Sequence, residues 1–223
     1  DISVDDAIAA TAKTFGALKA QDRPASAELH IAPLAAREAP YIVTHSGRAD
    51  QAFYGVYWPM PDYVADPALS YTADVAAAIL QSRLIDTVRE KIGITYSPQA
   101  SSLASLQLSG QGYFGAIIET PETNFATFRA ILDEELGAMT TKAVSDDELE
   151  RALKPLVESA KKRLENNDYW IDRLPLVLHN PVLRRSVTDE VAGLEAVSAA
   201  KVHDLIRHFV NDEKPLVVIS KAK

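Results

Sequence analysis

Apolar residues recur along this chain at two spacings, one of three to four residues and one of two, and the alternation between them predicts its elements. Ser3 followed by Asp6 reads as a helix start, and Ala7, Ile8, Ala10, Thr11 and Phe15 form an apolar stripe that ends at Gly16. Residues 17–40 carry three prolines, scattered charge and little periodicity, so they read as a connector. Tyr41 to His45 and Gln51 to Trp58 are β-rich runs, and Ser46 to Asp50 between them reads as a hairpin loop. Pro59 and Pro61 close the second run. Asp66-Pro67 then caps a long helix, with Leu69, Ala73, Ala76, Leu80, Leu84 and Val88 at helical spacing. Val75, Ile79 and Ile85 widen that stripe, so the helix is expected to be buried on more than one side. Gly93 supplies a left-handed residue for its end, and Arg89 and Lys91 set cations beside the terminal carbonyls.

Thr95 to Leu108 and Gln111 to Glu119 read as a second hairpin around Ser109-Gly110, with Pro98 arguing for an edge position. Thr120-Pro121 opens a helix reaching about Met139, with Phe125, Phe128, Ile131, Leu132 and Leu136 inward. Ser145 and Glu148 make a capping box for a helix carrying Leu149, Leu153, Leu156, Val157, Ala160 and Leu164, which Pro155 is expected to kink. Asn166 to Pro181 is turn-rich with room for one short helix. Val187 to Leu194 and Ser198 to Phe209 read as two short helices, and Pro215 to Ser220 as a last strand. Hairpins and helices segregated in this way describe an α+β fold: a two-layer α/β sandwich with an antiparallel-rich sheet and helices packed on one face. No internal repeat and no boundary interrupts it, so residues 1–223 are expected to form a single domain.

Composition narrows the function classes. A hydrophobic share of 47% over 223 residues can bury a substantial core. Lys and Arg total 23 against 31 Asp and Glu, a net charge of −8, which argues against a phosphate-binding or nucleic-acid surface. Lys161-Lys162-Arg163 sits beside Glu158 and Glu165 and reads as a solvated helix face. Without cysteine there is no disulfide framework, thiolate zinc site or cysteine nucleophile, which suits cytoplasm and periplasm equally. No apolar run is long enough to span a membrane, and Asp1 to Asp6 is acidic where a signal peptide would be basic and then apolar. The absence of an initiating methionine suggests a processed product or an excised fragment.

Most familiar chemistries find no foothold. His203 and His208 diverge by about 140° on a helix that turns about 100° per residue, so they do not form a metal pair. His45 and Arg48 fall at the expected hairpin tip, where solvation explains them. There is no Gly-x-Ser-x-Gly, and Gly110-Gln111-Gly112 lies between two strands rather than before a helix. Asp133-Glu134-Glu135 and Asp146-Asp147-Glu148 lie on helix surfaces, the second explained by capping.

What stands out is the string from Ser82 to Ser97: Ser82-Arg83-Leu84, then Val88-Arg89-Glu90-Lys91, then Gly93-Ile94-Thr95-Tyr96-Ser97. It resembles the insulinase/pitrilysin (inverzincin) family of zinc metallopeptidases, and the likeness runs from Asp1 to about Leu164. The resemblance implies the C-terminal half that carries no metal. Its fold would be the insulinase-like peptidase domain, with Asp1 as the tail of a Gly-Asp motif and the first strand lost. It implies that Arg89 and Tyr96 bind substrate, reaching a peptide at a zinc site on a partner domain or subunit. The family's His-x-x-Glu-His is missing at His30, His45, His179, His203 and His208, so no zinc ligand or general base is expected here and zinc belongs to the partner. Physically, a guanidinium fork and a phenol suit a peptide carbonyl or an oxyanion forming beside a zinc-bound water. Two alternatives stay open: a catalytically inactive structural subunit of the same fold, and a free-standing peptide-binding domain. The resemblance favours a bacterial periplasm over the cytoplasm.

Overall fold

The computed structural model describes residues 2–20, 31–48, 50–91, 97–178 and 180–223. The chain divides into two compact units, Asp1–Ile31 and Ala32–Lys223. In the first, α1 (Val4–Lys13) begins as its sequence predicts, with the Ser3 hydroxyl accepting from the Asp6 N–H at 3.1 Å. A 3-10 turn, Phe15–Ala17, follows it. No residue of α1 is buried, and Val4, Ile8 and Phe15 are all exposed, so its apolar stripe faces water.

The second unit is a two-layer sandwich. Its strands are β1 (Tyr41–His45), β2 (Phe53–Pro59), β3 (Gln99–Ala104), β4 (Gly112–Glu119) and β5 (Leu216–Ala222), in the spatial order β1-β5-β2-β4-β3. Three of the four pairings are antiparallel, and β1 with β5 is parallel. The expected hairpin of β3 and β4 forms, Ala104 opposite Gly112, and β3 lies at the edge as Pro98 required. The expected hairpin of β1 and β2 does not. β5 lies between them, matching Tyr41 to Val218 on one side and Tyr54 to Ile219 on the other. Val217, Val218 and Ile219 are β-branched and suit a central strand, and residues 46–52 are long enough to step over one intervening strand, two spacings of about 4.8 Å each.

Alternation along the strands sorts the sheet into two faces. Tyr54, Val56 and Trp58 of β2 and Phe114, Ala116 and Ile118 of β4 are buried toward the helices. The opposite face carries Tyr57, Tyr113 and Ile117, half-buried, with Tyr41, Val43 and Leu103 exposed. Tyr57 lies edge-on to Tyr113 at 5.3 Å between centroids. Gly55 and Gly115 leave it room, since a Cβ on either would fall within 3 Å of the Tyr57 ring.

The helix α2 (Pro67–Lys91) is capped by Asp66, whose carboxylate accepts from the Leu69 N–H at 2.9 Å. Its buried residues, among them Tyr71, Ala73, Val75, Ala76, Ala77, Ile79, Leu80, Leu84 and Val88, lie around more than one side as expected. It packs against β3, β4, α3 (Phe125–Thr141), α4 (Asp146–Arg163), α7 (Glu190–Glu195) and α8 (Ala199–Asn211). The α4 capping box is present, and the helix continues unbroken through Pro155. Between α4 and α8 the chain is more helical than its turn residues suggest. Asn166 caps α5 (Asn167–Val177), and Asn180 with Pro181 at the first position starts α6 (Pro181–Thr188). The single helix expected over Val187 to Leu194 is thus the end of α6 and most of α7, divided at Asp189.

Polar ties hold α2 in place. Ser102 on β3 donates to the Asp74 carboxylate through a short hydrogen bond. The Gln81 amide takes the Ala100 N–H at 2.5 Å and donates to the Pro98 carbonyl at 3.0 Å, standing in for a neighbouring strand. Arg83 donates twice to Glu148 of the capping box, at 2.7 and 3.0 Å, and lies 3.8 Å from Glu135. Burial pushes the Asp74 carboxyl up to about 6, against the opposing effect of the Ser102 bond, with Glu190 raising it further and Arg163 lowering it.

Two outcomes follow from these ties. The folded protein holds the Asp74 proton more tightly than the unfolded chain, where aspartate titrates near 3.9, so this group favours folding below about pH 4 and its contribution fades as pH rises through about 6. Asp74→Asn keeps a partner for Ser102 and removes that loss. Urea denaturation from pH 4 to 7 should show the variant gaining on the parent by up to about 3 kcal/mol as pH rises, and a constant difference would contradict the assignment. Arg83→Ala should cost about 1–2 kcal/mol at pH 7 by the same measurement, between an exposed ion pair and a buried one.

Candidate substrate-binding corner

The corner that the sequence singles out begins with the last two turns of α2. Leu84 and Val88 are fully buried and fix the rotation of the helix, which turns Arg89, Glu90 and Lys91 outward. Three side-chain contacts then fix its direction. Arg83 meets Glu148 of α4, Thr87 donates to Glu135 of α3 at 2.6 Å, and Lys91 pairs with Glu134 of α3 at 2.6 Å. Arg89 is exposed and has no ion-pair or hydrogen-bond partner among the described residues. Beyond the corner, the Gln81 amide holds Pro98 and Ala100 at the head of β3.

Lys91 and Pro98 are therefore both placed by contacts with the body of the domain. Residues 92–96 lie outside the described residues, and Tyr96 and Gly93 are among them. Of the two expected substrate-binding groups, Arg89 is where the sequence puts it, in the final helical turn. Its cationic group sits where the unsatisfied carbonyls of the helix end concentrate negative potential, and its donors remain available to an outside acceptor.

The other candidates are absorbed by structure. His45 bonds within its loop, Nε2 at 3.0 Å from the Gln51 carbonyl and Nδ1 accepting from the Gly47 N–H. His203 reaches the Thr140 carbonyl at 3.1 Å, whereas His208 lies beside Asp212 and Glu213, so the two diverge as expected. His30 and His179 lie outside the described residues. Among the described residues no three His, Cys, Asp or Glu side chains gather so as to hold a metal ion. Asp133 pairs with Arg129, leaving no paired carboxylates for acid–base work there. Arg163 departs from the solvated-face expectation: it bonds Glu190 at 2.5 Å and ties α4 to α7.

Two polar pairs escaped the sequence reading, Asp74 with Ser102 and the buried hydroxyls of Tyr63 and Tyr71, 2.7 Å apart. An aspartate among alanines and valines on the inner face of α2 was the visible sign of the first. Two tyrosines eight residues apart across a helix start gave no comparable sign of the second.

Residues 1–156 match the family model of the peptidase M16 inactive domain. The chloroplastic stromal processing peptidase of Arabidopsis thaliana is 25% identical over 134 residues, 60% of this chain and 10% of its own. The solved M16 inactive domain from Pseudomonas fluorescens superposes with a TM-score of 0.73 at 19% identity, covering 100% of this chain and 52% of that one. The periplasmic protease PqqL from Escherichia coli gives 0.71 at 14% identity, covering 100% and 24%. The chain thus spans a tenth of the curated relative and about half or less of these solved chains. At such identities the solved structures speak for the fold alone, an α+β sandwich like this one. The match over most of the chain agrees with the insulinase-type likeness of residues 82–97, and the chain belongs to the peptidase M16 inactive-domain family.

Proposed function

We propose that this chain is the non-zinc C-terminal part of a zinc-dependent metalloendopeptidase. Residues 1–223 act together as one such domain. Arg89 and Tyr96 bind the peptide and steady the oxyanion that forms at a zinc site on a partner domain or subunit. The supporting observation is Arg89 itself, an exposed guanidinium without a partner among the described residues, on a helix end braced by Arg83, Thr87 and Lys91. Bracing matters because a donor helps a transition state only if it is already in position. The chain supplies no metal ligand in this reading, and its partner is the zinc-bearing half of the same family. The periplasm, the compartment of the Escherichia coli protease PqqL, is the one we favour.

A structural subunit of the same fold is the second reading. Exposed Tyr41, Val43 and Leu103 on the open sheet face favour it, because they suit packing against another protein rather than catalysis.

The two readings separate in one assay. The chain is combined with the zinc-bearing half and peptide hydrolysis is followed with Arg89→Ala and Tyr96→Phe. A peptidase role predicts a fall of about 10²-fold or more in kcat with each, as for loss of an oxyanion donor, with folding unchanged. Unchanged cleavage by the reconstituted pair would leave the structural reading. Zinc-dependent cleavage by this chain alone would overturn both.

A further inference from the structure

Tyr63, just before α2, and Tyr71, within it, are 4% and 7% exposed, and their hydroxyls lie 2.7 Å apart. Two hydroxyls bring two O–H donors, and their mutual bond uses one. No other protein group accepts from either hydroxyl among the described residues, so whichever tyrosine donates, one O–H is left over. Burial raises both phenols above the ordinary tyrosine range, Tyr71 the more, so both keep their protons at every ordinary pH.

A cavity of about 390 Å³ adjoins the pair, within the size range of small-molecule sites. Pro67 and Ala68 of the α2 start and Ala192, Ala196 and Val197 of the α7 end make its walls largely apolar. α7 crosses directly over the tyrosine: a Cβ on Gly193 would fall 2.2 Å from the Tyr71 ring, so any other residue here would push the wall away. Exposed Arg185, Asp189 and Lys201 also line the cavity. Their mixed signs, with Lys201 already donating to the Ala196 carbonyl at 2.9 Å, offer no clear welcome to either charge.

We infer that this cavity is a binding site for a compact, uncharged aromatic molecule carrying an acceptor oxygen, which takes the spare hydroxyl proton of the Tyr63–Tyr71 pair. The site does not depend on the peptidase reading and lies apart from Arg89. The largely apolar walls favour a ligand with an apolar body, and the unused O–H selects ligands with a carbonyl or ether oxygen over hydrocarbons.

Acetophenone is a suitable probe, followed through the methyl resonances of 13C-alanine-labelled protein. The expected result is saturable shifts at Ala68, Ala192 and Ala196. Ala196→Trp, at an exposed helix end, should abolish them by filling the cavity. The double variant Tyr63→Phe/Tyr71→Phe removes both hydroxyls, avoids stranding either one, and should weaken binding by about 3–10-fold. Absence of saturable shifts, shifts that persist in Ala196→Trp, or equal affinity in the double phenylalanine variant would each overturn the assignment. Matching melting curves for the three proteins confirm that the comparison is between folded forms.

Discussion

The fold depends on burying one helix on several sides at once. α2 has alanine at 73, 76 and 77, where neighbours come close, and Val75, Ile79, Leu80, Leu84 and Val88, where they leave space to fill. Each fully buried large aliphatic side chain contributes about 1.5–3 kcal/mol relative to an exposed one, so this helix anchors a large share of the core. The sheet meets it through β3 and β4, and α3, α4, α7 and α8 meet it from other directions. A helix enclosed in this way cannot rotate or slide without opening voids around it, because the interior is packed as densely as a crystal. Its direction is then fixed for whatever its ends carry.

Charged groups appear where that enclosure gives out. Arg83 and Glu148 stand at the margin of the core, at 22% and 27% side-chain exposure, and the same glutamate caps α4. One carboxylate therefore starts a helix and ties it to another, while Thr87 and Lys91 bind α3 one and two turns further on. The ties are graded, from partly buried near Arg83 to exposed at Lys91. The end of α2 is held in place by several modest contacts, none of which needs Arg89, and that leaves its guanidinium for other use.

Much of this was legible in the sequence, and the limits have physical causes. The long helix, its Asp66 cap, its burial on several sides, the Ser145–Glu148 box and the β3–β4 hairpin all rest on local chemistry that a short window contains. The misplaced β1–β2 hairpin rests on a partner far along the chain, Val218 lying opposite Tyr41: nothing within Tyr41 to Trp58 announces that β5 will come between. The helices after Asn166 were underread because asparagine and proline serve equally as turn formers and as helix starters, and here they start helices. At the corner, the place of Arg89 in the last turn of α2 was legible because a helix end is a local event. The Tyr63–Tyr71 pair was not, because what makes it unusual is the cavity beside it, whose far wall belongs to α7.

The Gln81 amide has a further effect on the outline of the sheet. By offering both an acceptor and a donor to the first residues of β3, it occupies that border much as a sixth strand would, and Asp74 does the same for the Ser102 hydroxyl. The opposite border, β1, has no such cover among the described residues, and its Tyr41, Ile42 and Val43 are open to water. The sheet is thereby given a polarity: the first residues of β3 have their outward backbone groups occupied by a side chain, whereas among the described residues the outward edge beside Tyr41 has no such occupant.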